Sequence, residues 1–368
     1  MADGRSLHIG IDGRELVGHP TGVGRFLAAL LNVWATDATL PHRFTVFLPA
    51  PPPPALAGLG PRVTWTVDPA APAGTWWEQA RLPRAAARAR VDVFFAPGYT
   101  APLRLRCPIV LVIHDVSFFA HPEWFGWREG LRRRWLTRAS ARRARTVITV
   151  SEFSAAEIAR YLGVPRAGIR VAAHGAPDVT APPDGRPRPR LVLYVGSLFN
   201  RRRIPDLLRG FAVAAARVAD ARLVLVGDNR TNPRVDPLAL ARDLGLADRV
   251  EWRAYVPDAD LGALYRSARV FAFLSDYEGF GMTPLEAIAA GAPPVLLDTE
   301  IAREVYGDAA LLVPPAPDAI GQALTRLLTD DAAHDALVAA GRRRLDRFSW
   351  PRAAAAVRQA LEDAARTT

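Results

Sequence analysis

Short apolar segments alternate with longer amphipathic segments along almost the whole chain. The short segments are rich in branched and aromatic residues and predict buried strands, whereas the longer alanine- and arginine-rich segments predict helices. In the first half, strands are predicted at 7–12, 43–48, 91–96, 109–114, 146–150 and 169–173, with helices at 25–34, 79–89, 131–144 and 155–162. In the second half, strands are predicted at 191–195, 222–226, 250–252, 270–274, 294–297 and 310–313, and a last helix at 352–365.

A proline-rich stretch interrupts this alternation near the middle of the chain. Residues 177–190 match neither a helix nor a strand and predict a linker. We therefore expect a first domain at 1–176 and a second at 191–349, with the C-terminal segment 350–368 packing back onto the first domain. Near-continuous apolar strands that alternate with helices indicate parallel sheets covered on both faces. The predicted fold class is α/β, with two Rossmann-like, doubly wound domains facing each other across a cleft.

The segment 275–291 carries two carboxylates around a glycine-rich turn. It follows a predicted strand, and Thr283 with Pro284 predicts the start of a helix, where free N–H groups and the helix dipole favour an anion. Glu278 precedes Gly-Phe-Gly, a sequence that lets the backbone approach a ligand closely. Glu286 has a second interpretation, because Thr283-x-x-Glu286 also matches a capping box, in which the glutamate bonds to the N-cap amide.

A second candidate anion site follows the first strand of the second half. Gly196 and Ser197 form a predicted turn, and Arg201, Arg202 and Arg203 come next, before a predicted helix. Helix N-termini and the forked guanidinium of arginine suit a diphosphate. The alternative is an ordinary solvated turn in an arginine-rich chain.

Two further motifs lie in the first half. His114 ends an apolar strand and would lie at the ligand-binding edge of the sheet, although a lone histidine is more often structural. Gly22 and Gly24 lie between the first strand and a helix. This glycine pair is shorter than the dinucleotide fingerprint and lacks its third glycine, so hydride transfer is not supported.

Composition excludes several function classes. The 368 residues include 47 lysines and arginines and carry a formal net charge of +10, and every one of these basic residues is arginine. Without lysine, the chain can form neither a Schiff base to pyridoxal phosphate nor the usual phosphate-binding loop of nucleotide triphosphatases. The one cysteine, Cys107, excludes an internal disulfide. No signal peptide and no long apolar segment is recognisable, so a cytoplasmic protein is expected.

Aromatic residues accompany dense arginine in the segment 121–145. Trp124, Trp127 and Trp135 lie among these arginines, a combination typical of contact with an anionic membrane surface or a lipid-diphosphate acceptor. Such a protein would be peripheral on the inner face of the cell membrane. A solvated helix in an arginine-rich chain explains the pattern equally well. No nucleic-acid-binding module accompanies the charge, so nucleic acid is not expected as a partner.

Together these motifs resemble the retaining glycosyltransferases of family 4, which have the two-domain fold called GT-B. The resemblance covers nearly the whole chain and rests on three motifs: Gly22-Val-Gly24, Gly196-Ser with Arg201-Arg202, and Glu278-Gly-Phe-Gly with Glu286. Further stretches resemble the mannosyltransferase-like branch of the family, and they lie at 11–14, 77–83, 112–115, 149–154 and 174–175.

The resemblance implies that the first domain, 1–176, is the acceptor side and that the second, 191–349, binds the nucleotide-sugar donor. It also implies roles for individual residues. Glu278 would lie beside the transferred sugar, and Glu286 would bind the ribose hydroxyls of the nucleotide. Arg201 and Arg202 would neutralise the donor diphosphate, and His114 would lie near the sugar. The other donor-binding residues would be Gly22, Gly24, Gly196, Ser197, Phe280, Gly281, Met282 and Thr283.

Two positions depart from the family pattern. The family usually has lysine where Arg202 stands and asparagine where His174 stands. Arginine keeps the positive charge and adds a bidentate fork, so we expect activity to survive the first departure. The second departure has no interpretation from the sequence.

The implied function is retaining, metal-independent transfer of a hexose to a glycan or lipid-linked acceptor during cell-surface polysaccharide synthesis. Mannose from GDP-mannose is the donor that the branch implies. The alternatives are a UDP-sugar donor carrying glucose or N-acetylglucosamine, and a non-catalytic GT-B protein that binds a nucleotide-sugar. No cofactor is expected beside the nucleotide-sugar. Asp258-Ala-Asp260 matches a metal-binding Asp-x-Asp, but it precedes a predicted helix and is better explained by capping.

Overall fold

The computed structural model describes residues 6–18, 21–68, 74–177 and 188–366. Their contacts divide the chain into two compact units, the first comprising Met1–Gly175 with Ser349–Thr368 and the second Ala176–Phe348. The predicted linker at 177–190 lies for the most part outside the described residues. Each unit contains one parallel sheet with helices, so the α/β class and the two Rossmann-like domains are confirmed.

The elements are numbered along the chain. The strands are β1 His8–Asp12, β2 Arg43–Leu48, β3 Val63–Val67, β4 Val93–Ala96, β5 Ile109–Val112, β6 Thr146–Thr149, β7 Ile169–Val171, β8 Leu191–Val195, β9 Arg222–Val226, β10 Val250–Arg253, β11 Val270–Phe273, β12 Pro294–Leu297 and β13 Leu311–Val313. The helices are α1 Gly22–Thr36, α2 Pro54–Ala57, α3 Leu82–Ala89, α4 Ser117–Ala120, α5 Trp127–Arg143, α6 Glu152–Leu162, α7 Ile204–Arg217, α8 Pro237–Asp243, α9 Asp258–Ser267, α10 Met282–Ala289, α11 Glu300–Val305, α12 Pro317–Thr329, α13 Asp331–Leu345 and α14 Trp350–Arg366.

The first unit has a seven-stranded parallel sheet in the order β3-β2-β1-β4-β5-β6-β7. Side chains of successive strand residues enter two different apolar cores: Phe95 belongs to one core and Phe94 to the other. Both faces of the sheet are therefore covered, which explains why its central strands are apolar at nearly every position.

The C-terminal helix α14 belongs to the first unit, where it packs against α1. Val357 and Leu361 of α14 are fully buried in the same core as Trp34 of α1, whose indole nitrogen donates to the carbonyl of Ala354 at 3.2 Å. Full burial of an aliphatic side chain contributes about 1.5–3 kcal/mol, so this helix contributes substantially to the stability of the unit.

Strand β3 was not predicted. Its sequence, Val-Thr-Trp-Thr-Val, alternates between more and less buried positions, and among the described strands it pairs with β2 alone, at the edge of the sheet. An edge strand with one covered face lacks the continuous apolar run on which the other strands were recognised. Helices α1, α5 and α6 also begin three or four residues before their predicted starts, because their first turns lack the apolar repeat.

The second unit has a six-stranded parallel sheet in the order β10-β9-β8-β11-β12-β13. In both sheets the chain first adds strands from the centre toward one edge. It then returns to the centre and adds strands toward the other edge. This reversal lies between β1 and β4 in the first unit and between β8 and β11 in the second. Doubly wound sheets bind ligands at the carboxyl ends of the strands on either side of such a switch point.

Candidate functional site

The predicted motifs of the second unit meet at its switch point. Gly196 and Ser197 directly follow β8, and Ser275 and Glu278 follow β11, its neighbour in the sheet. Gly196 has φ +149°, and a Cβ atom there would collide with the guanidinium of Arg202. The positive φ therefore favours glycine at this position, and a larger residue would displace the guanidinium of Arg202.

Arg202 is the centre of this group. Its Nε donates to Glu278 Oε1 at 3.2 Å, its Nη2 lies 3.2 Å from the same oxygen, and its Nη1 donates to the carbonyl of Ser197 at 3.3 Å. The guanidinium also lies over the ring of Phe273, 4.7 Å from its centroid. Burial opposes the charge, but Glu278 and Tyr194 outweigh it and raise the pKa of Arg202 above its ordinary value, so this side chain is a permanent cation.

Arg201 lies beside the same carboxylate but is less fully bonded. Its Nε is 3.8 Å from Glu278 Oε1, and among the described residues this buried nitrogen has no hydrogen-bond partner. Its backbone carbonyl accepts from the amide of Asp276 at 2.9 Å, which fixes the turn. A buried donor without a partner costs about 1–3 kcal/mol, and an anionic ligand would remove that cost. We call Arg201, Arg202 and Glu278 the basic cluster.

The third arginine of the run has a different role. Arg203 has φ +44°, forms the N-cap of α7, and makes ion pairs with Asp276 at 2.7 Å and Asp206 at 3.1 Å. Its charge is therefore neutralised within the unit. The sequence presented three equivalent arginines, and the structure separates two that lie beside Glu278 from one that holds the turn.

Ser275 is a residue that the sequence analysis did not select. Its hydroxyl donates to Glu278 Oε1 at 2.8 Å, so that oxygen accepts from both Ser275 and Arg202. Two donors on one oxygen fix the rotamer of the carboxylate. The signal in the sequence was weak, because a serine after a strand is common in turns.

The loop after Glu278 leads directly into a helix. Gly281 has φ +88° and is the N-cap of α10, so the helix begins at Met282 and Thr283 is its second residue. The predicted capping box, with Thr283 as the cap, is therefore wrong. Because glycine accepts a left-handed conformation, Gly281 caps the helix two residues before Thr283.

Two tyrosines hold this region and were also missed by sequence reasoning. The Tyr306 hydroxyl lies 3.2 Å from the carbonyl oxygen of Phe280 and also bonds to that of Gly281. Burial, together with Glu278 and Glu286, raises the pKa of Tyr306 well above its ordinary value, so the hydroxyl remains a donor. Both tyrosines are distant in sequence from the groups they hold, which leaves no local pattern to identify them.

The second tyrosine is Tyr265, which contacts Glu286. The Tyr265 hydroxyl, from α9, donates to Glu286 Oε2 at 2.7 Å, and Tyr265 is buried. This contact sets the rotamer of the carboxylate from outside its own helix. Met282 and Thr283 lie in the first turn of α10, on the same helix as Glu286.

The remaining predicted residues lie in the first unit. His114 follows β5, is buried, and has Nε2 2.8 Å from the carbonyl oxygen of Pro97. A carbonyl can only accept, so Nε2 carries the proton. Burial lowers the pKa of His114, and the ring is therefore a neutral imidazole. His174 stacks on it with centroids 5.7 Å apart, and burial with the neighbouring His114 lowers the pKa of His174 well below its ordinary value.

Gly22 and Gly24 lie in the first turn of α1 rather than in a separate loop. Thr21 is the N-cap residue, and its side chain makes no capping bond. Asp258 and Asp260 lie in the first turn of α9, where the helix dipole favours acidic side chains. The N-cap residue is Pro257, so the predicted capping by these aspartates is wrong. Within the described part of the chain, no three histidine, cysteine or acidic side chains are grouped to hold a metal ion.

Solved structures place this architecture in a known class. HepE from Anabaena, crystallised with UDP and glucose, superimposes with a TM-score of 0.75 at 20% identity, covering 97% of this chain and 100% of that one. Sucrose-phosphate synthase from Thermosynechococcus elongatus gives a TM-score of 0.79 at 19% identity, covering 99% and 100%. The fold is that of the two-domain GT-B glycosyltransferases.

Sequence relatives identify the family. The model of "Glycosyltransferase Family 4" matches residues 20–178, and that of "Glycosyl transferases group 1" matches 181–344. O-antigen chain mannosyltransferase B of Escherichia coli is 30% identical over 274 residues, covering 70% of this chain and 71% of the relative. The MMP alpha-(1->4)-mannosyltransferase of Mycolicibacterium hassiacum is 33% identical over 241 residues, covering 62% and 58%. The chain belongs to glycosyltransferase family 4 and is mannosyltransferase-like, which confirms the resemblance inferred from its motifs.

None of the described helices is both long enough and apolar enough to cross a membrane.

Proposed function

We propose that this glycosyltransferase moves mannose from GDP-mannose, with retention of anomeric configuration, to a glycan or lipid-linked acceptor in cell-surface polysaccharide synthesis. The observation that carries the proposal is the basic cluster at the switch point of the second unit. There two partly buried arginines flank one carboxylate, and Arg201 Nε has no protein partner among the described residues. A nucleotide diphosphate fits this arrangement. The mannosyltransferase relatives support mannose as the sugar.

Each residue then has a distinct task. Arg201 and Arg202 bind the donor diphosphate, and Gly196 and Ser197 bring backbone close to it. Glu286, held by Tyr265, accepts from the ribose hydroxyls. Glu278 contacts hydroxyls of the transferred sugar.

The glycine-rich loop contributes its backbone to the proposed donor site. Phe280 and Gly281 lead into α10, and Met282 and Thr283 form its first turn, whose free amides favour the sugar or the phosphates. The family pattern further assigns a sugar contact to His114 and diphosphate contacts to Gly22 and Gly24.

The chemistry is dominated by developing charge. Cleavage of the bond between sugar and diphosphate leaves an oxocarbenium-like sugar and an anionic leaving group, and the two arginines stabilise that group without a metal. In front-side transfer, the leaving phosphate accepts the proton of the acceptor hydroxyl. Glu278 then orients the sugar rather than attacking it.

A donor screen tests this function. Purified protein is mixed with GDP-mannose, UDP-glucose, UDP-N-acetylglucosamine or ADP-glucose, and release of the nucleotide is followed with and without EDTA. We expect turnover with GDP-mannose that EDTA does not change. Turnover with UDP-sugars alone would replace the donor, an alternative supported by HepE, which was crystallised with UDP and glucose. Proton NMR of the product anomeric signal decides between retention and inversion.

A non-catalytic nucleotide-sugar-binding protein is the alternative class. It predicts binding of a nucleotide-sugar without release of the nucleotide. Glu286→Ala separates the two cases, since in a transferase it lowers both donor affinity and turnover. Binding by wild-type protein without any turnover, across the donor panel, would contradict the proposal of catalysis.

An anionic membrane surface is the proposed docking partner, with the protein cytoplasmic and peripheral. Helix α5 exposes Trp127 (69%), Leu131 (53%) and Trp135 (66%). A groove of about 290 Å³ runs along the same helix, lined by Leu131, Arg134, Trp135, Arg138, Ala139 and Arg142. Exposed tryptophans between arginines match the interface of a bilayer with anionic lipid.

Liposome flotation tests the docking. Vesicles with phosphatidylglycerol should carry wild-type protein, whereas the Trp127→Ala/Trp135→Ala variant should remain at the bottom of the gradient. Tyr255→Ala provides a control, because Tyr255 is an equally exposed aromatic residue in the second unit, 66% exposed. Equal flotation with neutral and anionic vesicles would exclude charge-driven docking and favour the solvated-helix alternative.

A further inference from the structure

His174, the second position that departs from the family pattern, stacks on His114 in the first unit. His174 is buried, and its imidazole lies almost parallel to that of His114, with ring centroids 5.7 Å apart and an interplanar angle of 9°. His114 follows β5, whereas His174 follows β7, which lies two strands away in the sheet. Rings at this distance and angle form an offset stack, which is a favourable arrangement of aromatic side chains.

Aromatic residues from two helices enclose this pair of rings. The edge of Phe26, from α1, contacts both imidazoles, with centroids 5.2 Å from His114 and 5.1 Å from His174. Trp350, the first residue of α14, packs against His174 at 5.8 Å. A Cβ atom added to Gly175 would collide with the same indole, so the indole lies directly against the chain beside His174. The ring of His174 is therefore confined on several sides.

The polar atoms of His114 are held by other contacts. Its Nε2 donates to the carbonyl of Pro97 at 2.8 Å, and its own backbone carbonyl accepts from the hydroxyl of Ser154 at 3.2 Å. These two bonds fix the tautomer and the backbone. The χ2 torsion of histidine is broad, and one bond to the ring restricts it only in part. The stack with His174 restricts the same torsion from the face of the ring.

The charged and titratable groups around His114 lie on its own strand end and on the neighbouring elements. Asp115 is adjacent, accepts from the Tyr99 hydroxyl at 2.9 Å, and opposes the lowering of the His114 pKa by burial. The Tyr99 ring lies 5.7 Å from His114, and Arg133 lies over that ring at 5.8 Å. Burial, with a further contribution from His114, lowers the pKa of His174 well below its ordinary value. His174 therefore offers a flat neutral face rather than a charge.

Asparagine, the usual family residue at this position, could not make the same contact. Its side chain is smaller than an imidazole and has no ring, so it would leave space between Phe26 and Trp350. Its amide would also need hydrogen-bond partners in a place enclosed by aromatic rings. The departure at position 174 therefore has a physical consequence, because it supplies the second ring on which His114 rests.

We propose that His174 is a positioning residue for the transfer reaction, and that its stacked ring fixes the orientation of the His114 imidazole toward the transferred sugar. His174 acts only through His114 and does not itself touch the substrate. The inference rests on the proposed transferase function, in which His114 contacts the sugar. It adds a role for a residue that differs from the family pattern.

The first test observes the imidazoles directly and does not depend on turnover. The chain has seven histidines, so their side-chain ¹H–¹⁵N spectra are assigned by single substitutions in the full-length protein. In the wild type we expect His114 as the Nε2–H tautomer, titrating below 6.5, and His174 uncharged at pH 6.5. A protonated His174 at this pH would overturn the inference, because the stack requires two neutral rings.

Two substitutions at position 174 separate the ring from its polar atoms. His174→Asn removes the ring, so water reaches His114, its tautomers mix, and its pKa rises toward 6.5. His174→Phe keeps a flat ring and should preserve the wild-type tautomer and titration. His42→Asn is the matched control, since His42 is also buried in the first unit but pairs with Glu362 at 3.0 Å. It should leave the His114 signals unchanged.

Steady-state kinetics provides a second readout, which a loss of stability alone would not reproduce. His174→Asn should lower kcat/KM for the donor about tenfold, the equivalent of one hydrogen bond, and His174→Phe less than about threefold. The acid limb of kcat/KM reports groups of the free enzyme, so it should move to higher pH in His174→Asn alone. The GDP dissociation constant, measured by calorimetry, should be the same in all three variants.

The outcomes separate this inference from the proposed function. No turnover with any donor overturns the transferase proposal, and the spectra still decide whether His174 orients His114. Turnover with unchanged His114 signals in His174→Asn overturns the inference and leaves the transferase standing. Equal changes in His174→Asn and His174→Phe, or in His174→Asn and His42→Asn, also overturn it. If one substitution prevents folding, the wild-type titration and the remaining variant decide.

Discussion

The two units have the same strand order around their switch points but opposite charge there. In the second unit, the basic cluster has two partly buried arginines for one glutamate. In the first unit, three carboxylates, those of Asp12, Glu15 and Glu78, surround one arginine, Arg14. The fold therefore fixes where a ligand binds, and the residues at the strand ends fix its class. A diphosphate suits the basic cluster of the second unit, whereas the excess of carboxylates in the first unit disfavours an anion there.

The carboxyl edges of the two sheets also share a structural feature. In each, a buried group that is distant in sequence holds a polar side chain at the edge: Tyr265 holds Glu286 in the second unit, and Glu78 holds Arg14 in the first. Such contacts restrict rotamers before a ligand arrives, which lowers the entropic cost of binding. The difference between the units lies in the charge that is held.

The largest expected effect comes from the basic cluster. Arg202→Ala should lower kcat by about 10²–10³, the usual cost of removing one donor that stabilises developing negative charge. The physical reason is the loss of a partly buried cation that is bonded to Glu278 and Ser197. Nucleotide release from the donor measures it.

Two further substitutions test whether the loss of kcat is specific to the guanidinium of Arg202. Arg202→Lys restores the residue that the family usually has and should lose less than Arg202→Ala, because it keeps the charge but not the fork. Arg203→Ala should lose less than about tenfold, since Arg203 is already paired with Asp276. Equal losses in Arg202→Ala and Arg203→Ala would mean that the arginines act only through net charge.

A core substitution tests whether the two units are stabilised separately. Leu361→Ala in α14 should destabilise the first unit by about 3 kcal/mol, as for a fully buried leucine that leaves a cavity. Leu327→Ala in α12 is the matched substitution in the second unit, also fully buried. Hydrogen exchange in α1 and α12 distinguishes the two, and acceleration of both helices by either substitution would show that the units unfold together.

Much of the fold could be predicted because the central strands are covered on both faces and are therefore apolar throughout. The exception, β3, lies at an edge and alternates. The motifs Gly196-Ser and Glu278 were found because glycines and charges next to a strand end carry local signals. The contacts of Tyr306 with Phe280 and of Glu78 with Arg14 could not be predicted, because the partners lie far apart in sequence and only the folded chain brings them together.

The pH dependence of the free energy of unfolding tests the ionisation of Asp12 in the first unit. Burial raises the pKa of Asp12 from 3.8 to about 6, against the opposing effect of Arg14 and with a further contribution from Glu78 and Glu15. The folded state holds this proton more tightly than the unfolded state. The contribution of Asp12 is therefore fully present below its unfolded pKa and is lost as the pH rises through about 6.

The histidines of the same edge act in the opposite direction. Burial lowers the pKa of His114 and of His174, so their contribution falls as the pH falls below their ordinary value of 6.5. The comparison of wild type with Asp12→Asn isolates the carboxyl. Between pH 4 and pH 7 the wild type should lose on the order of 2 kcal/mol relative to the variant in urea unfolding of the first unit. A difference that is flat with pH would show that Asp12 ionises normally.

The smallest effect should come from Tyr265→Phe, which removes one hydroxyl and leaves the ring. Glu286 would lose the bond that sets its rotamer, and a bond to a carboxylate contributes about 1.5–3 kcal/mol, part of which water replaces. We therefore expect donor nucleotide affinity to fall about fivefold, with little change in kcat, measured by calorimetry with GDP and UDP. Tyr255→Phe is the control, because it removes the same hydroxyl from an exposed tyrosine of the second unit. If Glu286→Ala and the double variant with Tyr265→Phe bind nucleotide equally, the tyrosine acts only through the glutamate. A further loss in the double variant would instead assign Tyr265 a direct contact of its own.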